Sequence, residues 1–593
     1  MHTKISFSGK TWNFMRNNNE TVTELARAVG VPELVSSILL NRGFSDVSEI
    51  KMLLDPKLKN TIPDPSLLLD MDKGVERLVG AIVNNEKIMI LGDYDVDGVT
   101  ATYLIVKYLS DIGYPPLYRL PNRFTDGYGI SNGALNAAIE NGVDLIVVVD
   151  TGTSCIDEIG RANQAGIDSV IIDHHSQVYD TLPDAVAIIN PNRRDQVEIG
   201  CSHIKHLCAA GVVFIFLIAL QRALRDRGFF NGGEVINDSS NAKHAPNLLD
   251  MTGVVAIGTM CDVMELKGIN RAIVKYAILN NRYPLGIKRL LQALNIRKIS
   301  SADDLGFFVG PAMNAAGRLG DPAMAMKLLL AATDDEAESI ALKLVSMNSK
   351  RKMIEKRMVN DAVAMVKAEQ LSRNPGICVY GDGWHEGVIG IVAGRLKDKF
   401  NKPSFVISFG EDGIGKGSAR SVPGIHLGEL LATAKNEGLL VSGGGHSQAG
   451  GFTITKDQIA GFSDFINSTV STDYVPTLDI DYIITPMSDL TQISRDMSVI
   501  EPFGRGIEKP LIYMERVKIE WTKKICSGAH LMLWISGEYS PKKVKAMIFH
   551  CSVKRNILEP IEQNFGDMFD VVGYINVHEQ YGQSFFVEDV RTS

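Results

Sequence analysis

The chain has 593 residues, and its 61 basic and 69 acidic residues give a formal net charge of −8. Its 45% hydrophobic and 22% charged content exclude a disordered or fibrous chain, and its length predicts about four domains. The acidic excess argues against a protein that coats nucleic acid by its overall charge, although a local basic groove stays compatible with it.

We expect neither export nor insertion into a membrane. The first twenty residues of the chain lack an apolar core, so we expect no secretory signal. The longest apolar run, residues 208–220, is too short to cross a bilayer and predicts a buried helix. Seven scattered cysteines form no CxxC pair, which argues against a zinc ribbon. A reducing, cytoplasmic compartment fits best.

The first half of the chain changes its pattern near residue 87. Residues 1–80 predict a small, mostly helical lead-in. Short apolar strands then alternate with helices, from KIMILGD (87–93) through LIVVVD (145–150) to SVIID (169–173). This alternation predicts a parallel, doubly wound α/β sheet, in which ligands bind at the carboxyl ends of the strands.

The second half predicts three further parts. Residues 335–370 contain no Gly or Pro and predict one long helix that connects two lobes. A second α/β lobe extends from about residue 377 to 470. Residues 476–593 hold short β-rich runs, which predict a small barrel or sandwich. The predicted fold class is therefore α/β, with two lobes, a connecting helix and a β-rich tail.

Three aspartates alternate directly after the first predicted strand. Asp93, Asp95 and Asp97 stand in GDYDVDG, where like charges repel unless a cation neutralises them. Carboxylate oxygens suit Mg²⁺ or Mn²⁺. An acidic turn that caps the next helix accounts for the same residues equally well.

Similar side chains follow other apolar runs. Asp150 and Asp173 close two strands, His174 and His175 come next, and Asp262 follows a further apolar run that we take as a strand. Each of these signals alone is weak, because an aspartate after a strand is often a helix cap and a pair of histidines is often a surface pair. Together, four strand ends on one side of a sheet would present carboxylates and imidazole to one crevice. Two ions that share an aspartate would suit hydrolysis of a phosphate ester.

These motifs occur in an order that resembles a known superfamily. GDYDVDG, DTGT, DHH and GTMCDV resemble motifs I–IV of the DHH phosphoesterases. The resemblance continues in NAAGRLGDP, GWHEGVIGIVAGRL, GKGSARS, SGGGHSQAGGF and EPFGRGIEKPL. Over nearly the whole chain the sequence resembles the RecJ family of single-strand-specific DNA exonucleases.

The resemblance implies a domain order. A helical lead-in would comprise residues 1–80, and a DHH domain with a parallel sheet residues 81–334. A connecting helix, 335–370, would lead to a smaller DHH-associated substrate domain, 371–475. Residues 476–593 would form a nucleic-acid-binding barrel like the oligonucleotide-binding (OB) fold.

The resemblance also implies a metal centre with two Mn²⁺ or Mg²⁺ ions. The implied ligands are Asp95, Asp97, Asp150, His174 and Asp262, with Asp150 as the bridge. The implied catalytic residues are His175 near the scissile phosphate, Asp93 beside the ligands, and Asp173, which would orient a histidine.

Residues that hold the 5′ phosphate and the strand are implied as well. They are Arg123, Asn314, Arg318, Ser418, Arg420, Gly444 and His446. Taken without the resemblance, GKGSARS is better explained as a glycine-rich turn with a solvated arginine. His446 then fits a core histidine equally well, and the alternative for Arg318 is that it pairs with an acidic neighbour at the domain junction.

Three positions depart from the family pattern. Leu91 stands where some relatives have His, so the first ion would use Asp93 or bind more weakly. Ala312 stands where many have Arg, and Glu265 where Pro is usual.

The tail concentrates basic charge. Residues 516–555 hold nine basic and two acidic residues, interleaved with aromatic ones. A basic groove with stacking aromatics suits sequence-tolerant binding of single strands. The interleaved aromatics are Trp521, Trp534, Tyr539 and Phe549. We expect Trp534, within LMLWIS, to lie in the core.

The expected function is that of a monomeric, metal-dependent exonuclease that degrades single-stranded DNA 5′→3′ to 5′-mononucleotides in repair and recombination. A single-strand-binding protein and a helicase are the expected protein partners. One alternative is a small-substrate phosphodiesterase or oligoribonuclease of the same superfamily. Another is a non-catalytic scaffold, which degenerate motifs would reveal.

Overall fold

The computed structural model describes residues 5–593 apart from 128, 201–203, 231–243, 472–474, 527, 529, 539–541, 550, 552–553, 565 and 579–581. The chain divides into two compact units. The first unit comprises residues 51–351 and 500–508. The second unit comprises residues 1–50, 352–499 and 509–593.

The lead-in is mostly helical, as predicted. Its elements are β1 (Thr11–Phe14), α1 (Asn19–Val29), α2 (Glu33–Asn41), α3 (Val47–Leu54), α4 (Leu58–Thr61) and α5 (Met71–Val83). The side chain of Asn18 caps α1, and Gly30, with φ of 84°, ends it. Both are the expected residues at helix ends.

A parallel sheet forms the centre of the first unit, as the alternating pattern predicts. Its region contains β2 (Ile88–Leu91), α6 (Val96–Asp111), β3 (Leu117–Arg119), α7 (Asn132–Glu140), β4 (Leu145–Val149), α8 (Ile156–Gln164), β5 (Asp168–Ile172) and β6 (Ala187–Ile189). The strand order is β3-β2-β4-β5-β6, and all four pairings are parallel.

This strand order contains a switch point. The chain leaves β2 for β3 on one side and later returns to β4 on the other, so the carboxyl ends of β2 and β4 border a crevice. Alternate strand residues pack on both faces, against α5, α6 and α10 on one side and α7 and α8 on the other. Burial on both faces explains why these strands are uninterrupted apolar runs.

Helices complete the first unit. They are α9 (Arg194–Ile199), α10 (Ala209–Asp226), α11 (Thr252–Cys261), α12 (Gly268–Asn280), α13 (Leu285–Ala293), a π-helical segment (Asp304–Val309), α14 (Gly310–Leu319), α15 (Ala323–Leu330) and α16 (Asp334–Ala368). The predicted buried helix is confirmed as α10. The predicted long helix is confirmed as α16, which continues into the second unit.

The strand predicted before Asp262 is wrong, because the structure has the helix α11 there. All of its residues from Thr252 to Thr259 are buried. A helix that is apolar on every side shows no period that distinguishes it from a buried strand. Asp262 therefore lies at the end of a helix rather than at a fourth strand end.

A five-stranded mixed sheet follows in the second unit. Its region contains β7 (Ile377–Asp382), α17 (Glu386–Phe400), β8 (Ser404–Phe409), β9 (Ile414–Arg420), α18 (Leu427–Asn436), β10 (Ser442–Gly445), β11 (Ala449–Thr455) and α19 (Ile459–Thr469). The order is β10-β11-β9-β8-β7, with only the β7–β8 pairing parallel. The second α/β lobe is thus confirmed.

A closed barrel forms the tail. Its region contains β12 (Thr477–Ile480), β13 (Tyr482–Ile484), α20 (Leu490–Met497), β14 (Ile512–Ile525), β15 (His530–Gly537), β16 (Val544–Ile548), α21 (Arg555–Gln563), β17 (Met568–His578) and β18 (Gly582–Thr592). The order β14-β15-β16-β18-β17 closes through a β14–β17 pairing, and α21 lies between the third and fourth barrel strands. This is the OB architecture.

The N-terminal strand is attached to the barrel, which the sequence does not predict. β1 pairs in parallel with β12. The indole Nε1 of Trp12 donates to Asp589 at 2.9 Å, and the guanidinium of Arg591 lies 4.3 Å from the Trp12 ring centroid. Across the helices that the structure describes, none has the length and apolar character that a membrane span requires.

Candidate active site and metal centre

The turn after β2 positions three aspartates. An added Cβ on Gly98 would lie 2.7 Å from the backbone of Asp93, so the close turn requires glycine there. Asp95 caps α6 and accepts from the amides of Asp97 at 2.9 Å and Gly98 at 3.1 Å. The helix-cap interpretation is therefore correct for Asp95, and its carboxylate also lies in a potential ligand group.

Asp97 is fixed by a second helix. Its carboxylate is 1% exposed and accepts from the amides of Ala209 at 2.7 Å and Ala210 at 3.0 Å. These amides belong to the first turn of α10, where backbone N–H groups lack helical partners and favour an anion. Nothing in the sequence pattern shows that this helix end reaches Asp97.

The next two strand ends supply Asp150 and the two histidines. Asp150 follows β4 with φ of 61°, a left-handed conformation that few residues other than Gly, Asn and Asp adopt. Asp173 follows β5 and accepts from the amides of Thr153, His174 and His175. It also accepts from Nδ1 of His175 at 2.8 Å.

His174 lies at the centre of the carboxylates. Its Nε2 is 3.2 Å from Asp150 Oδ1, 3.7 Å from Asp262 Oδ2 and 3.9 Å from Asp97 Oδ2. The structure therefore brings Asp262 to the predicted site from a helix end. His175 also lies near the centre, with its Nδ1 3.9 Å from Asp150 Oδ1.

The side chains form three overlapping ligand groups among the described residues. Within each group the ligand atoms lie within 4.8 Å of one another. The first group contains Asp97, His174 and Asp262, the second Asp93, Asp95 and Asp150, and the third Asp150, His174 and His175. Because Asp150 shares the third group with His174, it connects the first group to the second.

The carboxylates have the electrostatics of a cation site. Burial and then the charge of Asp95 raise the pKa of Asp93 to about 8. Burial and then Asp97 raise the pKa of Asp262 to about 8, and burial with the surrounding aspartates raises that of Asp150 well above its usual value. Asp93 Oδ1 is buried and has no hydrogen-bond donor among the described residues. A carboxylate and imidazole set with such a deficit of positive charge fits Mn²⁺ or Mg²⁺.

The surroundings of His175 favour its charged form, whereas those of the carboxylates in the ligand groups disfavour theirs. Burial disfavours its charged form, but the Asp173 carboxylate outweighs burial and raises the pKa of His175 to about 9. Burial alone would raise the pKa of Asp173, yet the charge and hydrogen bonds of His175 hold it below its usual range. The pair therefore orients a protonated imidazole beside the ligand groups.

The raised carboxyl pKa values predict how stability depends on pH and metal. The unperturbed value of 3.8 for Asp93 and Asp262 rises to about 8 on folding, so between these values the folded protein binds protons that the unfolded chain has lost. Without metal, the free energy of unfolding should therefore fall as pH rises from about 4 to 8.

Mn²⁺ should reduce this fall, because a cation stabilises the charged carboxylates. Each change of ~1 kcal/mol in the free energy of unfolding should move the Tm of the first unit by about 2–4 °C. Thermal unfolding with chelator or Mn²⁺ across this pH range measures the effect. A chelated protein as stable at pH 8 as at pH 5 would contradict it.

Two arginines lie beside the metal-ligand turn. The guanidinium of Arg123 lies 4.1 Å from the ring centroid of Tyr94, between Asp93 and Asp95. The helix α14, which carries Asn314 and Arg318, packs against the same turn, because an added Cβ on Gly317 would lie 2.8 Å from Tyr94 O. The charges of both arginines act on the Tyr94 hydroxyl. They supply positive charge next to the ligand groups.

Two of the positions that depart from the family pattern, Leu91 and Ala312, are buried. Leu91 is buried in the face of the sheet that packs on α7 and α8, and Asp93 lies in a potential ligand group with Asp95 and Asp150. Ala312 is fully buried in α14.

Ser418 and Arg420 lie on a strand of the second unit. GKGSARS is mostly strand β9, so the glycine-rich-turn interpretation is wrong. Arg420 Nη1 donates to Ser418 Oγ at 3.3 Å and to Ala419 O at 2.8 Å. An added Cβ on Gly390 would lie 3.0 Å from Ser418 Oγ, so this glycine lets α17 approach the pair closely.

Gly444 lies on the same sheet as Ser418. The strand register places Ser418 opposite Gly451, and Gly451 opposite Gly444. Gly444 and His446 are both exposed, so the alternative of a core histidine is wrong. His446 is instead exposed, directly after strand β10.

The barrel presents two tryptophans to solvent. Trp521 on β14 and Trp534 on β15 are cross-strand partners, 43% and 36% exposed. The prediction that Trp534 lies in the core is wrong, because its neighbours Leu533 and Ile535 point inward. Lys545 is the next partner of Trp534, on β16. Phe549 contacts Phe586, and Tyr539 lies outside the described residues.

One positioning residue has no direct signal in the sequence. Gly258 lies inside α11, and an added Cβ there would be 2.6 Å from Asp97 Oδ1 and 2.7 Å from Thr100 Oγ1. A glycine in an apolar run indicates a close contact but not its partner.

Comparison with known proteins identifies the class. The family model of the DHH family N-terminal domain matches residues 87–238, that of the DHHA1 domain residues 373–472, and that of the RecJ OB domain residues 480–586. The sheet, its ligand groups and these matches define a DHH-type protein with a DHHA1 domain and an OB barrel.

Individual relatives narrow this class. The RecJ exonuclease of Escherichia coli is 34% identical over 501 residues, which cover 81% of this chain and 83% of that protein. The RecJ of Bacillus subtilis is 32% identical over 542 residues, 89% of this chain, and the chain spans 64% of that protein's length. The chain belongs to the RecJ family.

Solved structures agree with the fold. The manganese complex of RecJ from Thermus thermophilus has a TM-score of 0.78 at 24% identity, covering 98% of this chain and 79% of that one. A second manganese-bound exonuclease RecJ has a TM-score of 0.56 at 27% identity, covering 68% of this chain and 94% of that one.

Proposed function

We propose that the protein is a metal-dependent exonuclease that hydrolyses single-stranded DNA from its 5′ end and releases 5′-mononucleotides. The observation that carries the proposal is the pair of ligand groups that Asp150 connects at the switch point of the sheet. Two cations in these groups suit phosphodiester hydrolysis. Relatives of this chain are named as single-stranded-DNA-specific exonucleases.

The residues divide the chemical work between them. When bound, the cations would supply positive charge that offsets the charge developing on the phosphoryl oxygens. Asp97, His174 and Asp262 would hold one ion, Asp93 and Asp95 the other, and Asp150 both. The protonated His175, oriented by Asp173 through Nδ1, would donate a hydrogen bond from Nε2 to the scissile phosphate.

Further residues would hold the strand. We assign the terminal 5′ phosphate to Ser418 and Arg420, because a hydroxyl and a guanidinium held 3.3 Å apart offer converging donors. Arg123 and Arg318 would bind phosphate beside the metal centre. Gly444 and His446 would contact the strand on the same sheet as Ser418, and Asn314 would contact it from α14.

The barrel would also bind the strand. Trp521 and Trp534 form an exposed aromatic pair with Lys545 next to it, a combination that binds single strands without base readout. Replacing both tryptophans with alanine should weaken binding of long single strands by about 1–3 kcal/mol per lost stacking contact.

Trinucleotide turnover should change little in this double variant, because a trinucleotide has few bases left to stack once its phosphates are held at the metal centre. The measurements are fluorescence anisotropy on a long strand and hydrolysis of both lengths. A matched control replaces Tyr118, an exposed aromatic residue of the first unit, with alanine. Unchanged affinity for long strands would remove the tryptophans from the binding face.

Digestion of labelled strands tests the function as a whole. Single and double strands labelled at the 5′ or the 3′ end should be incubated with Mn²⁺, Mg²⁺ or chelator. The proposal predicts early release of the 5′ label from single strands only, and no release with chelator. Release of the 3′ label first would overturn the polarity, and equal digestion of duplexes would overturn the strand preference.

The retained ligands argue against a non-catalytic scaffold, since one group combines two carboxylates with the imidazole of His174 and the other consists of three carboxylates. The barrel argues against a small-substrate phosphodiesterase, since a small substrate has no use for it. We further propose the five domains that the family resemblance implies, a cytoplasmic monomer, a role in repair and recombination, and work beside a single-strand-binding protein and a helicase.

A further inference from the structure

A short segment from the second half of the chain packs on the first unit. Residues 500–508 belong to the first unit, whereas the residues on either side of them belong to the second. The amide of Gly504 donates to Ile507 O at 2.9 Å, and the amide of Ile507 donates to Gly504 O at 3.0 Å. Arg505 and Gly506 therefore form the tip of a tight turn, and Gly506 has φ of 83° as such turns require. We call this segment the 500–508 hairpin.

The backbone of the hairpin is firmly anchored. Arg271 is 1% exposed, and its guanidinium donates to Leu53 O at 2.6 Å, to Pro502 O at 2.8 Å and to Ile500 O. The amide of Leu266 donates to Arg505 O at 2.8 Å. A buried guanidinium that satisfies three carbonyls is costly to displace, so the position of Arg505 is well defined.

This anchoring places Arg505 at the edge of the metal centre. Its Nη1 lies 3.5 Å from the carbonyl oxygen of Val263, the residue directly after Asp262. Val263 has φ of 54°, which a β-branched residue rarely adopts, and it is exposed. The charge of Arg505 also lowers the pKa of Asp262, against the larger effect of burial. A strand bound at Asp262 would pass this guanidinium.

Arg505 is part of a basic cluster around one carboxylate. Glu265 Oε2 lies 3.1 Å from Lys267 Nζ and 3.6 Å from His206 Nε2. An added Cβ on Gly506 would lie 3.7 Å from both Glu265 Cβ and Lys267 Cε, so the hairpin tip contacts the cluster. Lys267 remains 52% exposed.

We propose that Arg505 and Lys267 form a subsite for a backbone phosphate of the DNA strand beside Asp262, and that Glu265 is an intramolecular competitor for that phosphate. A carboxylate and a phosphate take the same partners, an ammonium ion and a guanidinium. The inference rests on the proposed function, since it assumes that the strand runs past Asp262.

The salt dependence of strand binding tests the subsite. Binding of a labelled oligothymidylate, with Ca²⁺ in place of Mn²⁺, is measured by anisotropy between about 50 and 200 mM salt. For single strands, each phosphate contact contributes about 0.7 to the slope of the logarithm of the binding constant against the logarithm of the salt concentration. Between these salt concentrations the affinity of the unaltered protein falls by a certain factor. In Arg505→Ala and in Lys267→Ala this factor should be about 2- to 3-fold smaller, because one phosphate contact is lost. Glu265→Gln should increase affinity and steepen the slope.

Three controls make the result specific. Arg505→Lys should keep the slope, because it keeps the charge. Arg282→Ala removes an equal charge from an arginine that pairs with Asp250 at 2.6 Å, and it should leave the slope unchanged. Circular dichroism of each variant checks folding. An unchanged slope in Arg505→Ala, or an equal change in Arg282→Ala, would overturn the subsite.

Mn²⁺-dependent release of nucleotides by the unaltered protein is measured in parallel. If nucleotides are released and Arg505→Ala leaves the slope unchanged, only the subsite fails. If the slope falls as predicted but no nucleotides are released, the proposed function fails and the subsite is supported.

Discussion

Replacing Asp150 with asparagine should abolish hydrolysis of single-stranded DNA, with kcat reduced about 10³-fold or more. Asp150 belongs to the group with Asp93 and Asp95 and also lies 3.2 Å from His174 in the other group. Loss of its charge would weaken both proposed ions, each worth several kcal/mol of transition-state stabilisation, and 1.36 kcal/mol is a factor of ten in rate.

Asparagine is the informative substitution because of the backbone. Asp150 has φ of 61°, and asparagine is among the few residues that adopt this conformation readily. Asp150→Asn therefore removes the charge and keeps the turn after β4, whereas alanine would also strain that turn. Strand binding should stay within about twofold of the unaltered protein, since the proposed phosphate contacts lie elsewhere.

The control is Asp111→Asn, which removes one carboxylate at the end of α6, where Asp111 pairs with Lys107. It should leave hydrolysis and strand binding unchanged. Hydrolysis by Asp150→Asn within tenfold of the unaltered rate would remove Asp150 from the bridging position. Equal loss of strand binding and of hydrolysis would indicate a misfolded turn instead.

Thermal unfolding adds a readout that is independent of turnover. Burial and the neighbouring aspartates raise the pKa of Asp150, so its ionised form destabilises the metal-free protein near neutral pH. With chelator, Asp150→Asn should therefore melt at a higher temperature than the unaltered protein. With Mn²⁺ the order should reverse, because only the unaltered protein keeps all the ligands.

The sequence predicted most accurately those residues of the site that directly follow strands of the parallel sheet. Asp93, Asp150 and Asp173 all follow apolar parallel strands, and the carboxyl ends of such strands lie at one edge of a sheet. Asp262 belongs to the same site, but α11 brings it there rather than a strand. Its apolar run has the same pattern in either structure, so only the packing of the whole unit decides between them.

Other parts of the site depend on contacts between distant residues. LMLWIS is apolar at nearly every position, so its pattern does not show which side of β15 faces inward, and pairing with Trp521 places Trp534 outside. Arg505 lies more than 200 residues from Val263 in sequence, and its place beside Asp262 follows from the anchoring of the 500–508 hairpin by Arg271. Such long-range pairings leave no local pattern.

Gly258 shows how closely the helices fit around the metal ligands. It lies in the buried part of α11, and an added Cβ there would be 2.6 Å from Asp97 Oδ1, 2.7 Å from Thr100 Oγ1 and 2.9 Å from Ala210 Cβ. Real Cβ atoms do not approach other atoms this closely, so one of the partners must move. Ala210 and Thr100 are held in packed helices. Asp97 is the partner among the proposed metal ligands, so its displacement would affect metal binding.

Gly258→Ala should therefore displace the Asp97 carboxylate and reduce kcat about 10²-fold, the typical loss for a misplacement of about 1 Å in an active site. The affinity for Mn²⁺, measured by calorimetric titration, should fall as well. Overpacking should lower the free energy of unfolding by about 1–3 kcal/mol.

The matched control is Gly80→Ala in α5 of the same unit, where an added Cβ meets nothing within 4 Å. Both substitutions gain the same helix propensity, about 0.5–1 kcal/mol, so the difference between them isolates the contact with Asp97. Gly80→Ala should be fully active and slightly more stable. If Gly258→Ala kept full activity and Mn²⁺ affinity, the position of Asp97 between α10 and α11 would not be required for metal binding. A loss of stability without a loss of Mn²⁺ affinity would assign Gly258 to packing alone.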